Sequence, residues 1–396
     1  MTEICPPNLC TGCMACSAKC PVSCISFTEN IKGHQHPNID QSLCINCGLC
    51  QRICPTLNNI EKFSTPNEAI ASFAKDKYIR RHAQSGGISY LLSKEIVKNG
   101  GIFVGVEWDN KRQRTKHTIC NTIEGLARYQ GSRYIQSDPS QIYRTIKDTL
   151  NANIIVLFSG TACQIAGLNN FLGKEYENLF TIDILCHGVP SRKVFIDRIH
   201  EIESRHKSRV IDYRSRVKSP DQYHTSSYYQ LENGEYELKN VYEDVFFRFF
   251  VANYGLRESC YTCPYAGTER IGDITLADFW GFTPYNLKFK NFRKGTSLIM
   301  INSKKGKQLF SMIEDKIIYT KRPIAEATSC NHNLNSPQIK PENYDIFWER
   351  YLGGEKLNDL AQIYFPQKHL NISKSILIKE WIKIILPYKI IKKLSK

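Results

Sequence analysis

From residue 69 onward the chain alternates short apolar runs with stretches of helical period, the pattern of a sheet flanked by helices. Residues 69–74 read as a buried strand. After the turn Gln84-Ser85-Gly86-Gly87, the apolar residues Ile88, Leu91, Leu92, Ile96 and Val97 recur at helical spacing, and Gly100-Gly101 stops that helix. Residues 102–106 are the next strand. A second strand–turn–helix unit runs from the apolar stretch 153–158 through Ser159-Gly160-Thr161 into a helix carrying Ile165 and Leu168. Another buried strand, at 180–185, ends in Cys186-His187-Gly188-Val189-Pro190-Ser191. This alternation predicts an α/β domain with a mixed or parallel sheet and chemistry at the strand ends. Between 210 and 242 polar and β-prone residues alternate, among them Tyr223, Tyr228, Tyr229 and Tyr236, which predicts an antiparallel excursion covering one side of that site.

The first 57 residues have another texture, dominated by an internal repeat of cysteines. Cys10-x2-Cys13-x2-Cys16-x3-Cys20-Pro21 is followed by Cys44-x2-Cys47-x2-Cys50-x3-Cys54-Pro55, with a turn or hairpin at 33–37 between them. In the two-cluster ferredoxin pattern each run gives three thiolates to one iron–sulfur cube and its fourth to the other. Three cysteines on a tight loop wrap three corners of a cube, and the Cys-Pro beyond a short turn points towards the second. On that rule Cys10, Cys13, Cys16 and Cys54 hold one 4Fe–4S cluster, and Cys44, Cys47, Cys50 and Cys20 hold the other. A structural zinc knuckle needs only four ligands; eight in two matched tetrads, each closed by proline, argue against it. The module is therefore read as an α+β ferredoxin-like two-cluster domain over 1–57, with a linker at 58–68 that carries Asn58, Asn59, Ser64, Thr65 and Pro66.

Composition adds bounds. At 396 residues, with 42% hydrophobic and 23% charged, the chain has room for two or three folded domains. Sixteen cysteines in a small secreted protein would suggest disulfides. Here Met1 to Cys10 contains no apolar signal segment and the cysteines have metal-ligand spacing, so a reducing cytoplasm is expected. The net charge of +15 suits acidic partners such as small ferredoxins or phosphorylated substrates. No nucleic-acid-binding motif accompanies it, and nucleic acid is not expected.

A second cysteine constellation lies in the α/β part. Cys163 stands at a predicted helix start, Cys186 ends a strand beside His187, and Cys260-Tyr261-Thr262-Cys263-Pro264 is a C-x2-C closed by proline. A helix N-terminus favours the thiolate, the ligand form. These four suit a third iron–sulfur cluster, a zinc site, or a knuckle with two buried apolar thiols beside it. Asp273 and Asp278 are candidates for ribose hydroxyls or for capping a turn before Trp280.

Several motifs follow one another in a recognisable order: Ser85-Gly86-Gly87, Gly131-Ser132-Arg133-Tyr134, Thr161-Ala162-Cys163-Gln164-Ile165-Ala166-Gly167-Leu168, Cys186-His187-Gly188-Val189-Pro190-Ser191, Cys260-x2-Cys263-Pro264 and Gly272-Asp273-Ile274-Thr275-Leu276-Ala277-Asp278-Phe279-Trp280-Gly281. With the N-terminal repeat, the chain to about residue 340 resembles the family of coenzyme F420 hydrogenase/dehydrogenase beta subunits. Ala162 stands where that family usually has proline. The resemblance implies iron–sulfur clusters joined to FAD, with electrons moving between a ferredoxin or other redox protein and a small organic substrate. It implies a third 4Fe–4S cluster at Cys163, Cys186, Cys260 and Cys263. It makes Ser85, Gly86, Gly87, Ser132, Arg133 and Tyr134 candidates for holding FAD, although no Gly-x-Gly-x-x-Gly fingerprint is present. His187 is the candidate catalytic proton donor, or else a residue that orients the cluster loop. On this reading 69–150 and 151–345 are the two parts of the flavin domain, the second carrying the third cluster. The alternatives are a coenzyme F420 reducing or oxidising subunit of a larger complex, and a non-catalytic electron-transfer subunit.

Residues 346–396 are read as a basic tail outside the family pattern. Ile376, Leu377, Ile378, Trp381, Ile382, Ile384, Ile385 and Leu386 cover most of one helical face, with Lys379, Glu380 and Lys383 opposite. That pattern predicts an amphipathic helix, either peripheral at the inner face of the cell membrane or docked on protein. It is too short and too charged to span a bilayer.

Overall fold

The computed structural model describes residues 3–58, 60–218, 225–284 and 286–367. Its strands there are β1 (Ile25–Glu29), β2 (Gln35–Ile39), β3 (Glu68–Ala74), β4 (Ile102–Asp109), β5 (Arg114–Cys120), β6 (Ser137–Asp138), β7 (Val156–Thr161), β8 (Leu179–Ile184), β9 (Val210–Lys218), β10 (Thr225–Leu231), β11 (Tyr236–Asn240), β12 (Ile274–Asp278), β13 (Ser297–Ile301) and β14 (Ile317–Pro323). A nine-stranded sheet in the order β14-β3-β13-β12-β8-β7-β4-β5-β6 forms the body. Its centre, β12-β8-β7-β4, is parallel, while β13, β3 and β14 on one side and β5 on the other pair antiparallel.

Strand alternation divides the core between two faces. Ile102, Val104, Val156 and Phe158 cluster with the helices Ile142–Asn151 and Ala162–Leu172. Phe103, Leu157, Phe180 and Ile182 cluster with the helix Ile88–Lys98. That helix buries Ile88, Leu91, Leu92, Ile96 and Val97. At about 1.5–3 kcal/mol for each fully buried apolar side chain, packing rather than propensity holds it.

The antiparallel excursion is the separate sheet β11-β10-β9. It shares an aromatic core with the helices Arg192–His206, Val245–Val251, Tyr344–Leu352 and Leu357–Tyr364, including Tyr213, Tyr229, Phe246, Phe249, Phe347 and Trp348. The two parts expected on either side of 150/151 share one sheet, because β4 pairs with β7 and β3 pairs with β13 across the division. One expected boundary is corrected. The tail expected from 346 begins inside the helix Tyr344–Leu352, and the chain stays packed on this core as far as Phe365. The amphipathic stretch 376–386 lies outside the described residues. Among those described, no helix is long and apolar enough to cross a membrane.

The N-terminal module consists of the hairpin β1-β2 and the short helices Ala15–Lys19 and Leu49–Arg52. Its interior is mostly sulfur: Cys5, Cys10, Cys16, Cys20, Cys24 and Cys54, with Ile4 and Ile25. So small an apolar core needs support, and the sheet domain supplies it. Tyr143 Oη donates to the Cys13 carbonyl at 3.1 Å, and Arg144 donates to the carbonyls of Ala18 at 2.9 Å and Cys20 at 3.1 Å. The expected linker is tied down as well, with Phe63 N–H donating to the Arg270 carbonyl at 2.7 Å.

Candidate redox site

The twelve predicted ligands gather in three groups of four. Cys13 and Cys16 both lie within electrostatic reach of Cys10 and Cys54. Cys50 is near Cys47 and Cys20, while Cys24 joins Cys20 to Cys44. Cys186 is near Cys260, Cys163 and Cys263. The groups also form a sequence in space. The Cys20, Cys44, Cys47 and Cys50 group reaches solvent through Cys47. The Cys10 group is buried, and its Cys13 neighbours Cys163 of the third.

Burial dominates the acidity of the inner thiols. It pushes Cys13 and Cys260 up to about 12 and Cys163 up to about 11, the Thr161 hydroxyl acting against it at Cys163. The helix N-terminus at Cys163 therefore does not by itself produce a thiolate; a cation must compensate the desolvation. Iron does this in a cubane, so the donor sets fit clusters. No group of three or more His, Cys, Asp or Glu among the described residues has the geometry for a single metal ion. A cube sets its four thiolates at separate corners and does not need them to converge on one point.

Two cysteines that the spacing rule passes over join these groups. Cys5 is hydrogen-bonded to Cys10 and Cys54, which holds its own thiol up and helps to hold theirs down. Cys24 Sγ lies 3.4 Å from Cys20 Sγ. Neither belongs to a C-x2-C unit, although Cys24 follows Cys20 closely enough to be a signal.

A cavity of about 790 Å³ opens at the carboxyl ends of β7, β8 and β12, where parallel sheets place their ligands. Cys163, Cys186 and His187 are on its wall, as are Ser85, Gly87, Ser132, Arg133 and Tyr134. Gly86, predicted as part of the cradle, is not. Its N–H donates to Ser297 Oγ at 2.9 Å, and a Cβ there would stand 2.5 Å from the Ser72 carbonyl oxygen, so this glycine serves packing against the sheet. Arg133 differs from expectation too, since Nη2 donates to Asp212 at 3.2 Å and the side chain is almost wholly buried. Its cation already has a partner. Tyr134 stacks on Phe250 with centroids 4.8 Å apart, and Phe250 meets the His187 ring at 4.7 Å. These rings make an aromatic wall suited to a flat heterocycle.

The wall also carries unmet polar atoms. Gln84 Nε2, Ser85 Oγ and His187 Nε2 are buried with no hydrogen-bond partner in the protein. Leaving such groups unpaired costs about 1–3 kcal/mol each, so a polar ligand there fits. Burial is also the main reason that the His187 imidazole lies below its usual range, against the opposing pull of Asn253 and the Phe250 backbone. Of the two aspartates, Asp278 lines the cavity and pairs with Arg216 at 2.6 Å. Asp273 instead binds Thr181 and Ser303 inside the fold.

Comparison with known proteins agrees with this organisation. Residues 9–58 match the 4Fe-4S dicluster domain, and residues 155–326 match the model for the C terminus of the Coenzyme F420 hydrogenase/dehydrogenase beta subunit. The F subunit of the F(420)H(2) dehydrogenase of Methanosarcina mazei is 24% identical over 211 residues, covering 50% of this chain and 59% of that one. The coenzyme F420-dependent sulfite reductase of Methanocaldococcus jannaschii is 22% identical over 192 residues, covering 48% and 29%. The chain thus matches less than two thirds of the length of either relative. A structure of the F420-reducing NiFe hydrogenase complex from Methanosarcina barkeri, derivatised with xenon, aligns with a TM-score of 0.44 at 19% identity, over 74% of this chain and 94% of that one. A dicluster domain at residues 9–58 thus precedes, at residues 155–326, a C-terminal domain of the coenzyme F420 hydrogenase/dehydrogenase beta-subunit family.

Proposed function

We propose that the chain is an iron–sulfur flavoprotein oxidoreductase that takes electrons from a ferredoxin-type protein and delivers them to a small organic acceptor. The observation that carries this reading is the sequence of three cysteine groups from the solvent-exposed Cys47 to Cys163 and Cys186 on the cavity wall. Three 4Fe–4S clusters would supply one-electron transfer and FAD would convert it to two-electron chemistry. The protein's part is to hold and orient. Ser85, Gly87 and Ser132 offer hydroxyls and backbone to the polar portion of the cofactor, and Tyr134 with Phe250 offers a face to its ring. A second reading has coenzyme F420 as the organic partner, which the names of both relatives favour, and this chain as one subunit of a larger assembly, which the name of the first favours.

Analysis of protein purified without air for iron, sulfide, zinc and released flavin tests the reading. About twelve iron and one FAD per chain are expected. About eight iron with no flavin would leave a two-cluster relay in place of the reductase. Added reduced F420 that bleaches no flavin would dismiss the second reading.

His187 is assigned the proton at the reacting end of the cavity. Because burial lowers its pKa, it is neutral at pH 7 and gains its proton only below its ordinary range. Acceptor reduction should therefore quicken as pH falls below about 6.5. His187→Gln should flatten that profile and slow acceptor-driven flavin oxidation by about 10²-fold or more. An unchanged rate and profile would leave His187 only orienting the Cys186 loop.

A further inference from the structure

Arg257 has only 1% of its surface exposed, yet no carboxylate neutralises it among the described residues. Nη1 donates to the Cys10 carbonyl at 2.9 Å, and Nη2 donates to Gln136 Oε1 at 3.1 Å and to the Gln35 carbonyl. All three acceptors are uncharged, and Nε has no partner in the protein. Arg270 and Arg198, buried to a similar depth, are built differently. Arg270 donates to both Asp183 oxygens, and Arg198 faces Glu201, Glu237 and Asp244. A buried cation without a counter-charge is among the costliest things a fold can contain.

The surroundings of Arg257 suggest what compensates it. Its charge bears on the thiols of Cys10, Cys163 and Cys260. Cys10 belongs to the buried N-terminal group, and the other two belong to the third. Space beside the guanidinium is also kept for this purpose, because a Cβ on Gly12 would stand 2.8 Å from Arg257 Nη2. Ser259 Oγ, two residues on, donates to the same Cys10 carbonyl at 3.0 Å and fixes the segment.

We propose that Arg257 is the counter-charge shared by the Cys10/Cys13/Cys16/Cys54 cluster and the Cys163/Cys186/Cys260/Cys263 cluster, and that it raises the reduction potentials of these two and not of the solvent-facing one. This rests on the three-cluster reading above. A thiolate-ligated cube is an anion that becomes more negative by one charge when it takes up one electron, so a fixed cation stabilises the reduced form more than the oxidised. Electrons arriving at the outer cluster from the ferredoxin-type donor thereby find the inner two more favourable. Arg257 is a positioning residue for charge and touches no substrate.

The test is a potentiometric titration followed by electron paramagnetic resonance on the full chain purified without air, with iron counted in every sample. In the unaltered protein, about twelve iron and three reducible signals establish the clusters; fewer would sink that reading before any variant is made. Arg257→Gln should retain the iron and lower the reduction equilibrium of two clusters about tenfold, equal to about 59 mV for a one-electron couple. The signal of the solvent-facing cluster should stay where it was, and Arg257→Lys should restore most of the shift. If Arg257→Gln does not assemble, Gln136→Glu places a carboxylate against the intact guanidinium and should lower the same two signals. Equal movement of all three signals, or movement of none, in whichever of these variants assembles would overturn the proposal.

Discussion

Cys163→Ser is expected to remove four of about twelve irons and leave the two N-terminal clusters in place. A serine hydroxyl does not ionise as a thiol does, and the thiolate is the ligand. Cys163 is the member of the third group that neighbours both Cys13 and the cavity. Its loss therefore breaks the sequence of groups at the step before the acceptor. Flavin held by Ser85, Gly87, Ser132 and Tyr134 should remain bound, while its reduction by a ferredoxin-type donor falls to background. Chemical reduction of the flavin alone should be untouched. Iron, zinc and flavin content together with the rate of flavin bleaching would decide the matter. An unchanged iron count would mean that the third group holds no cluster, and loss of zinc instead would return the site to the rival metal. Cys44→Ser should also stop the donor reaction, but from the solvent end and with the third signal intact.

The parts of this site that could be read from sequence are those in which the information is local. Two repeats of C-x2-C-x2-C-x3-C-P mark eight candidate ligands because a cube's corners are met by one tight loop. The apolar runs of β7 and β8, each ending in a polar turn, mark where a parallel sheet opens its cleft. What sequence could not give are partners brought together by the fold. Arg257 lies 247 residues from Cys10, whose carbonyl it binds, and nothing in its own neighbourhood marks it as unpaired. Gly86 looks like a phosphate turn until Ser297 is seen to take its N–H. Arg133 looks like a free cation until Asp212 arrives from β9. The sheet order has the same character, since β3 sits between β13 and β14, which lie more than 200 residues later. One local signal does argue against the expected tail. Tyr344, Phe347, Trp348 and Tyr351 recur at helical spacing, the mark of a buried helix.

Gly167→Leu is expected to cost the buried N-terminal cluster, through one contact between the module and the sheet domain. Glycine inside the helix Ala162–Leu172 is unfavourable by about 1 kcal/mol relative to alanine. The close approach of Cys13 accounts for it. A Cβ at 167 would stand 3.0 Å from Cys13 Cβ, 3.1 Å from Cys13 Sγ and 3.2 Å from Tyr143 Oη. For alanine a movement of a few tenths of an ångström relieves that contact, and the gain in helix propensity roughly offsets it. Gly167→Ala should therefore keep its iron and its melting temperature. Leucine has nowhere to go. Overpacking of this kind costs about 1–3 kcal/mol, and at about 2–4 °C per kcal/mol the melting temperature should fall by several degrees. The same displacement moves a cluster ligand, so iron should drop from about twelve to about eight per chain, with the third-cluster signal retained. A leucine variant with its full iron would show that Cys13 tolerates movement and that its cluster does not depend on the helix beneath it. Loss of iron in the leucine variant alone would mean that the electron route is held together by the close packing of one helix against one ligand loop, and that the N-terminal module works only when seated on its sheet.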